Sequence, residues 1–248
     1  MSKRKKTKHP FPCFSLWQQF KRKIYRTFAI FVLIFLSSVL LFRFVPIPIS
    51  AYMLQQKIGN LLAGNLSTPI HYQWIRFEQM NQSIQLAVIA SEDQRFASHY
   101  GFDWEAIKAA LQHNKNGKRI RGGSTISQQT AKNLYLWHGQ SWLRKAIEMP
   151  TTLVLETLWS KKRILEVYLN IAEFGPNIFG VEAASQHYFN KSAKQLNYAE
   201  AALLAAVLPN PIIFHVDKPS AYVKKRQQHI QRQMHLLGKQ YLNQLNEG

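Results

Sequence analysis

Two carboxylates stand side by side at Glu92 and Asp93, in a chain with 13 acids against 32 lysines and arginines and no acid before Glu78. They open the stretch Glu92-Asp93-Gln-Arg-Phe96-Ala-Ser-His99-Tyr-Gly101-Phe-Asp103. Like-charge repulsion and desolvation in a cleft both favour the protonated form of a carboxylate, and so move its titration toward the range a general base needs. An acidic pair also stabilises the first turn of a helix, so the pair alone carries both readings. A lone histidine such as His99 is as readily structural as functional.

A second polar stretch follows, Gly122-Gly123-Ser124-Thr125-Ile-Ser-Gln-Gln129-Thr-Ala-Lys132-Asn133. It is not a phosphate loop, because the Gly-x-x-x-x-Gly-Lys-Ser/Thr spacing is absent. Hydroxyls and amides this dense suit a sugar or a diphosphate, and they equally suit a helix cap followed by a solvated face. Lys132 adds a cation. Arg144 and Glu148 then stand at i and i+4, and Lys145 at i−3 from Glu148, so on a helix all three share a face. They form either a surface ion pair worth under about 1 kcal/mol or a charged cluster for an anion. Pro150 either breaks that helix or sits near its start.

Other constellations are missing. There is no His-Glu-x-x-His zinc motif and no Gly-x-Ser-x-Gly elbow. The only Ser-x-x-Lys, Ser2 to Lys5, lies in the N-terminal tail.

The elements that must position these residues read as helices. Leu143, Ile147, Val154, Leu155 and Leu158 recur at three- and four-residue steps. Ser160 caps a helix carrying Ile164, Leu165, Tyr168 and Leu169. Asn197 and Glu200 form a capping box, with Pro209 ending that helix. A last helical pattern runs from Ser220 to Leu242. No convincing run of alternating strands and no internal repeat is present, so the fold class is all-α or nearly so.

The 248 residues carry formal charge +19, much of it in Lys3, Arg4, Lys5, Lys6, Lys8, Lys21, Arg22, Lys23 and Arg26. An apolar run from Thr27 to Val45 follows. Its roughly 19 residues span about 28 Å, close to the bilayer hydrocarbon thickness. The basic flank puts the N-terminus in the cytoplasm. The alternative, a cleaved signal peptide, has a shorter apolar core and a small-residue cleavage site, where this chain has Phe44-Val-Pro-Ile-Pro48. The expected organisation is a basic cytoplasmic tail (1–26), a membrane anchor (27–45), a membrane-proximal linker (46–75) with a short helix from Tyr52, and a catalytic domain (76–248). Cys13, the single cysteine, falls in the tail, so the exported part needs no disulfide. Nucleic acid is a poor partner for an exported anchored domain; an anionic lipid-linked substrate is a good one.

Together the motifs resemble the peptidoglycan glycosyltransferases, glycosyltransferase family 51, over roughly Phe77 to Met234. Glu92-Asp-x-x-Phe96-x-x-His99-x-Gly101-x-Asp103 is similar to the first family motif. Gly123-Ser-Thr-Ile-x-Gln-Gln129-x-x-Lys132-Asn133 is similar to the second, and Arg144-Lys145-x-x-Glu148 with Leu155-Glu156 to the third. The fourth is matched by Lys162-x-x-Ile-Leu-Glu-Val-Tyr168-Leu169-Asn170, then Gly175, Gly180, Ala183-Ala184 and Tyr188-Phe189. Thr152 departs from the small residue many members have. The length leaves no room for a second catalytic domain, which points to the monofunctional members.

The resemblance implies a two-lobed, lysozyme-like helical fold with a membrane-dipped small lobe. The implied substrate is lipid II, a disaccharide-peptide on undecaprenyl diphosphate, polymerised with inversion at the donor anomeric carbon in the inner membrane. Glu92 is then the expected base, and Glu148 assists near the diphosphate. Lys132, Arg144 and Lys145 neutralise that group, with a divalent cation (Mg2+ or Mn2+) as a further candidate. Asp93, Phe96, His99, Asp103, Ser124, Thr125, Gln129 and Asn133 are expected to shape the cleft, and Tyr168 and Asn170 to be scaffold. Implied partners are the growing lipid-linked glycan, the membrane, and cell-wall synthesis or division proteins.

Overall fold

An N-terminal helix, α1 (Pro12–Phe42), takes in the apolar run as far as Phe42 and begins well ahead of it, inside the segment read as tail. Its Trp17–Phe42 portion is long and apolar enough to cross a membrane. The structure, a computed structural model, describes residues 12–65, 68–115, 123–139 and 141–246; residues 1–11 of the basic tail and Gly122 lie outside these. Residues up to Val45 form one compact unit and those from Pro46 onward a second, so the segment 46–75 belongs to the second unit.

That second unit is helical, as its sequence predicts. Ser50 caps α2 (Ala51–Leu62) by accepting from the Met53 N–H. Asn81 caps α3 (Gln82–Glu92), in which every residue from Ile84 to Ala90 is buried. A helix apolar all round belongs in a core, and α3 packs against α9 (Tyr198–Val207) and α10 (Ala221–Leu237). The capping box at Asn197 and Glu200 is formed in both directions, and Ser220 caps α10.

A second helix group lies beside the first. It contains α4 (Trp104–Lys115), α5 (Ile126–Tyr135), α6 (Trp142–Leu158) and α7 (Lys161–Ile171), with α5 packed on α2, α6 and α7. Ser160 caps α7. Pro150 lies inside α6 rather than at its start. Its missing N–H breaks the i→i−4 ladder there, and Thr151 and Thr152 bond back to the carbonyls of Ile147 and Glu148, each at 2.8 Å.

Three short strands went unread in the sequence. β1 (His71–Tyr72) pairs in parallel with β3 (Ile178–Phe179), which pairs antiparallel with β2 (Glu173–Gly175), and α8 (Val181–Phe189) follows. At two or three residues each, they are too short to show alternation. Asn170 is scaffold: its amide donates to the Ile75 carbonyl at 2.9 Å and accepts from the Ile75 N–H at 2.8 Å.

Candidate active site

Glu92 is the last residue of α3, not the first turn of a helix. A carboxylate there faces the negative pole of the helix dipole, and the surroundings offset this with donors. Gln129 Nε2 donates to Glu92 Oε2 at 3.0 Å. Ser91 Oγ donates to Oε1 at 2.9 Å, and Arg226 Nη2, from α10, approaches the same oxygen at 3.3 Å. Gln129 is itself held by Tyr168, whose hydroxyl donates to its Oε1 at 3.1 Å. Burial, then the charge of Glu92, push the Tyr168 phenol well above its ordinary value, so it stays a donor. Tyr168 therefore fixes the amide that orients the Glu92 carboxylate.

Asp93 turns away from its neighbour. Its Oδ2 accepts from the Ile126 N–H at 3.0 Å, at the start of α5, and both its oxygens lie 2.9 Å from His99 Nε2. A carboxylate at a helix N-terminus satisfies an otherwise orphaned donor. Here it also joins the end of α3 to the start of α5, which sets Glu92 relative to Gln129 and Lys132. The like-charge proximity expected from sequence is thus replaced by a structural joint.

A cavity of about 280 Å³ is lined by Glu92, Ser124, Gln128, Gln129, Lys132, Arg144, Lys145, Glu148, Leu208 and Pro209. On the α6 side, Arg144 Nη1 donates to Glu148 Oε2 at 2.6 Å, and Lys145 Nζ pairs with Oε1. Glu148 is 2 % exposed, so its carboxylate is buried beneath two partly exposed cations rather than forming the solvated bridge that is the ordinary reading of i, i+4 charges. Lys132 points from α5 into the same cavity and has no hydrogen-bond or ion-pair partner among the described residues. Burial pushes its ammonium below the ordinary lysine value, with Glu148 opposing that shift. A part-buried cation with no partner among the described residues, beside Arg144 and Lys145, is chemically suited to an anion.

Several expected cleft residues stand behind the wall. Phe96 is fully buried under Lys161 Nζ, which lies 4.7 Å from its ring. Thr125 caps α5, and its hydroxyl donates to the Gly101 carbonyl at 2.7 Å. Asp103 accepts from the Ala106 N–H at 2.9 Å at the start of α4. Asn133 is buried, with its Oδ1 unpaired. Asp93, Phe96, His99, Asp103, Thr125 and Asn133 therefore position the lining and do not form it; Ser124 and Gln129 do line it. The sequence missed Ser91, Gln128, Leu208, Pro209 and Arg226. Gln128 lay within a stretch already singled out, and Ser91 stands immediately before the other. Arg226 had no signal beyond a basic helical face and reaches Glu92 across 134 positions.

Among the described residues no three metal-ligating side chains converge, and both Glu148 oxygens are occupied. The donor set does not fit a divalent ion held by the protein alone.

Known proteins match this chain over most of its length. A family model described as Transglycosylase matches residues 59–235. The chain is similar to the biosynthetic peptidoglycan transglycosylase of Pasteurella multocida, 85 % identical over 246 residues, covering 99 % of this chain and 100 % of the relative. A protein of the same name from Haemophilus influenzae is 64 % identical over 219 residues, 88 % of this chain and 87 % of the relative. One from Mannheimia succiniciproducens is 57 % identical over 241 residues, 97 % and 99 % of the two chains. With the family model spanning both helix groups and the cavity between them, the chain belongs to the transglycosylase family.

Proposed function

We propose that this chain is a monofunctional peptidoglycan glycosyltransferase that polymerises lipid II, with Glu92 as base and Lys132, Arg144 and Lys145 as the leaving-group site. The observation that carries the reading is one cavity with a donor-ringed glutamate on the α3 side and three cations on the α5–α6 side. Glu92 takes the proton from the 4-hydroxyl of the acceptor sugar. The freed electron pair attacks the donor anomeric carbon from the face opposite the diphosphate. The carbon–oxygen bond to the diphosphate breaks, the anomeric centre inverts, and undecaprenyl diphosphate departs with the electron pair.

A diphosphate leaves well once its charge is neutralised, so preorganised cations do the work a proton donor does elsewhere. Arg144 contributes a planar fork suited to two phosphate oxygens. Glu148 holds Arg144 and Lys145 in place and balances them when the site is empty. A glycan-cleaving enzyme needs a protonated acid at the leaving oxygen and has no use for three converging cations, which favours synthesis.

We further propose that α1 crosses the inner membrane once, with the N-terminus cytoplasmic and the catalytic unit periplasmic. The basic flank and the apolar portion of α1 support this. The decisive assay incubates purified full-length protein with lipid II. Growth of lipid-linked glycan polymer is expected. Lipid II left unchanged while finished glycan is cut would overturn the reading in favour of a lytic enzyme.

A further inference from the structure

Arg144 is held at two points: Nη1 by Glu148, and Nε by the Gly139 carbonyl at 2.9 Å. Gly139 lies in the turn between α5 and α6 at φ +139°, a backbone conformation open to glycine. A turn of this kind needs outside support if its carbonyl is to fix a guanidinium. That support comes from α2. Gln55 Oε1 accepts from the His138 N–H at 2.6 Å, and Gln55 Nε2 donates to the His138 carbonyl at 3.4 Å. One turn earlier on α2, Tyr52 stacks on the His138 ring with centroids 3.5 Å apart and planes at 20°.

Tyr52 is anchored on its other side. Its hydroxyl donates to the buried Glu173, and its ring meets Phe179 edge-on at 5.4 Å. Glu173 in turn accepts from the Asn177 N–H at 3.2 Å, and Asn60 of α2 donates to the Asn177 side chain at 2.9 Å. Burial, then the charges of Lys132 and Arg144, push His138 down to about 4. The ring is therefore neutral at pH 7 and adds no repulsion beside the cations.

We infer that Gln55 and Tyr52, in the helix next in sequence to the membrane span, are positioning residues for Arg144, acting through the His138–Gly139 turn. This rests on the assignment of Arg144 to the diphosphate. The chain path is short and continuous: α2 clamps both backbone groups of His138, the next residue supplies the carbonyl, and that carbonyl sets Arg144 Nε. With Nε and Nη1 fixed, the orientation of the guanidinium of this cavity-lining residue is set. The segment that leads out of the membrane thus forms part of the machinery that grips the lipid diphosphate.

The test is a double-mutant cycle on the full-length protein with lipid II as substrate. Gln55→Met should lower kcat/KM by about tenfold, the scale of one lost hydrogen bond, with Tm little changed. Arg144→Gln should lower it further. The combined variant should be no slower than Arg144→Gln alone, because Gln55 has nothing left to orient. Gln55→Glu keeps the acceptor for the His138 N–H and should recover part of the loss. It serves as the first arm of the same cycle if Gln55→Met proves unstable. Losses that multiply, or a Gln55→Met rate equal to wild type, would overturn the inference. Failure of the wild-type protein to make polymer would instead count against the proposed function, so the two outcomes are separable.

Discussion

At the scale of single residues, the proposed mechanism divides the labour between one carboxylate and a set of cations, and each half makes its own prediction. Glu92→Gln keeps the shape and most of the hydrogen bonds at the end of α3 but removes the proton acceptor. Loss of a general base commonly costs about 10²–10⁴ in rate. Polymerisation should fall by that much, while Tm and retention of lipid II stay near wild type. Near-normal turnover would take Glu92 out of the role of base. Lys132 makes a pH prediction. Its ammonium is displaced downward by burial, so in the free enzyme its charge is lost at a lower pH than that of an ordinary lysine. The profile of kcat/KM reports the free enzyme, and its alkaline limb should therefore begin below the usual lysine range. Lys132→Arg, with a guanidinium that stays charged in proteins, should move that limb upward even if the maximal rate drops. An alkaline limb at the same pH in both proteins would mean that Lys132 does not control it. Arg144→Lys should give a partial defect and Arg144→Gln a larger one, because lysine keeps charge but not the bidentate fork.

At the scale of elements, function depends on joints between helix ends, and these joints decide what a sequence can reveal. Caps are local, and they were legible: Ser160 on α7 and the Asn197–Glu200 box on α9 need only a few consecutive residues. The charged face of α6 was legible too, because i, i+3 and i, i+4 fix it. Long-range partners were not. Nothing in sequence places Arg226 at Glu92 or Gln55 at His138, and α3 shows no amphipathic stripe because it is buried on all sides. Nor does a motif tell lining from support: Asp93, Thr125 and Asp103, expected to shape the cleft, make hydrogen bonds at helix ends and are not among the residues lining the cavity. Gly101 shows how tight that back wall is. It sits at φ +78°, and a Cβ there would lie 3.0 Å from Thr152 Cγ2 and 3.2 Å from Glu156 Cγ. Gly101→Ala should therefore destabilise the protein by about 1–3 kcal/mol, through backbone strain plus the contact. Calorimetry of that variant and of Gly101→Ala/Thr152→Ala separates the two causes. The second substitution should recover only the part due to the Thr152 contact. An unchanged Tm for Gly101→Ala would show that neither cause acts.

At the scale of the whole molecule, the placement of charge and apolar length makes the last prediction. All the described cavity residues lie in the unit from Pro46 onward, while the densest basic run of the +19 chain precedes the span. Positive charge flanking a span is retained on the cytoplasmic side, and a substrate carried on a polyprenyl lipid stays in the plane of the bilayer. On the proposed topology the anchor converts a search in three dimensions into one along a surface. Cys13 is the only thiol in the chain, which makes the topology measurable without further engineering. In spheroplasts, a membrane-impermeant maleimide should leave Cys13 unlabelled until the membrane is lysed. Leu236 is 79 % exposed near the end of α10, so Leu236→Cys in a Cys13→Ser background should label in intact spheroplasts. The reciprocal pattern, with Cys13 labelled and Cys at 236 protected, would place the catalytic unit in the cytoplasm. It would break the link between the basic flank and the side on which the glycan is built.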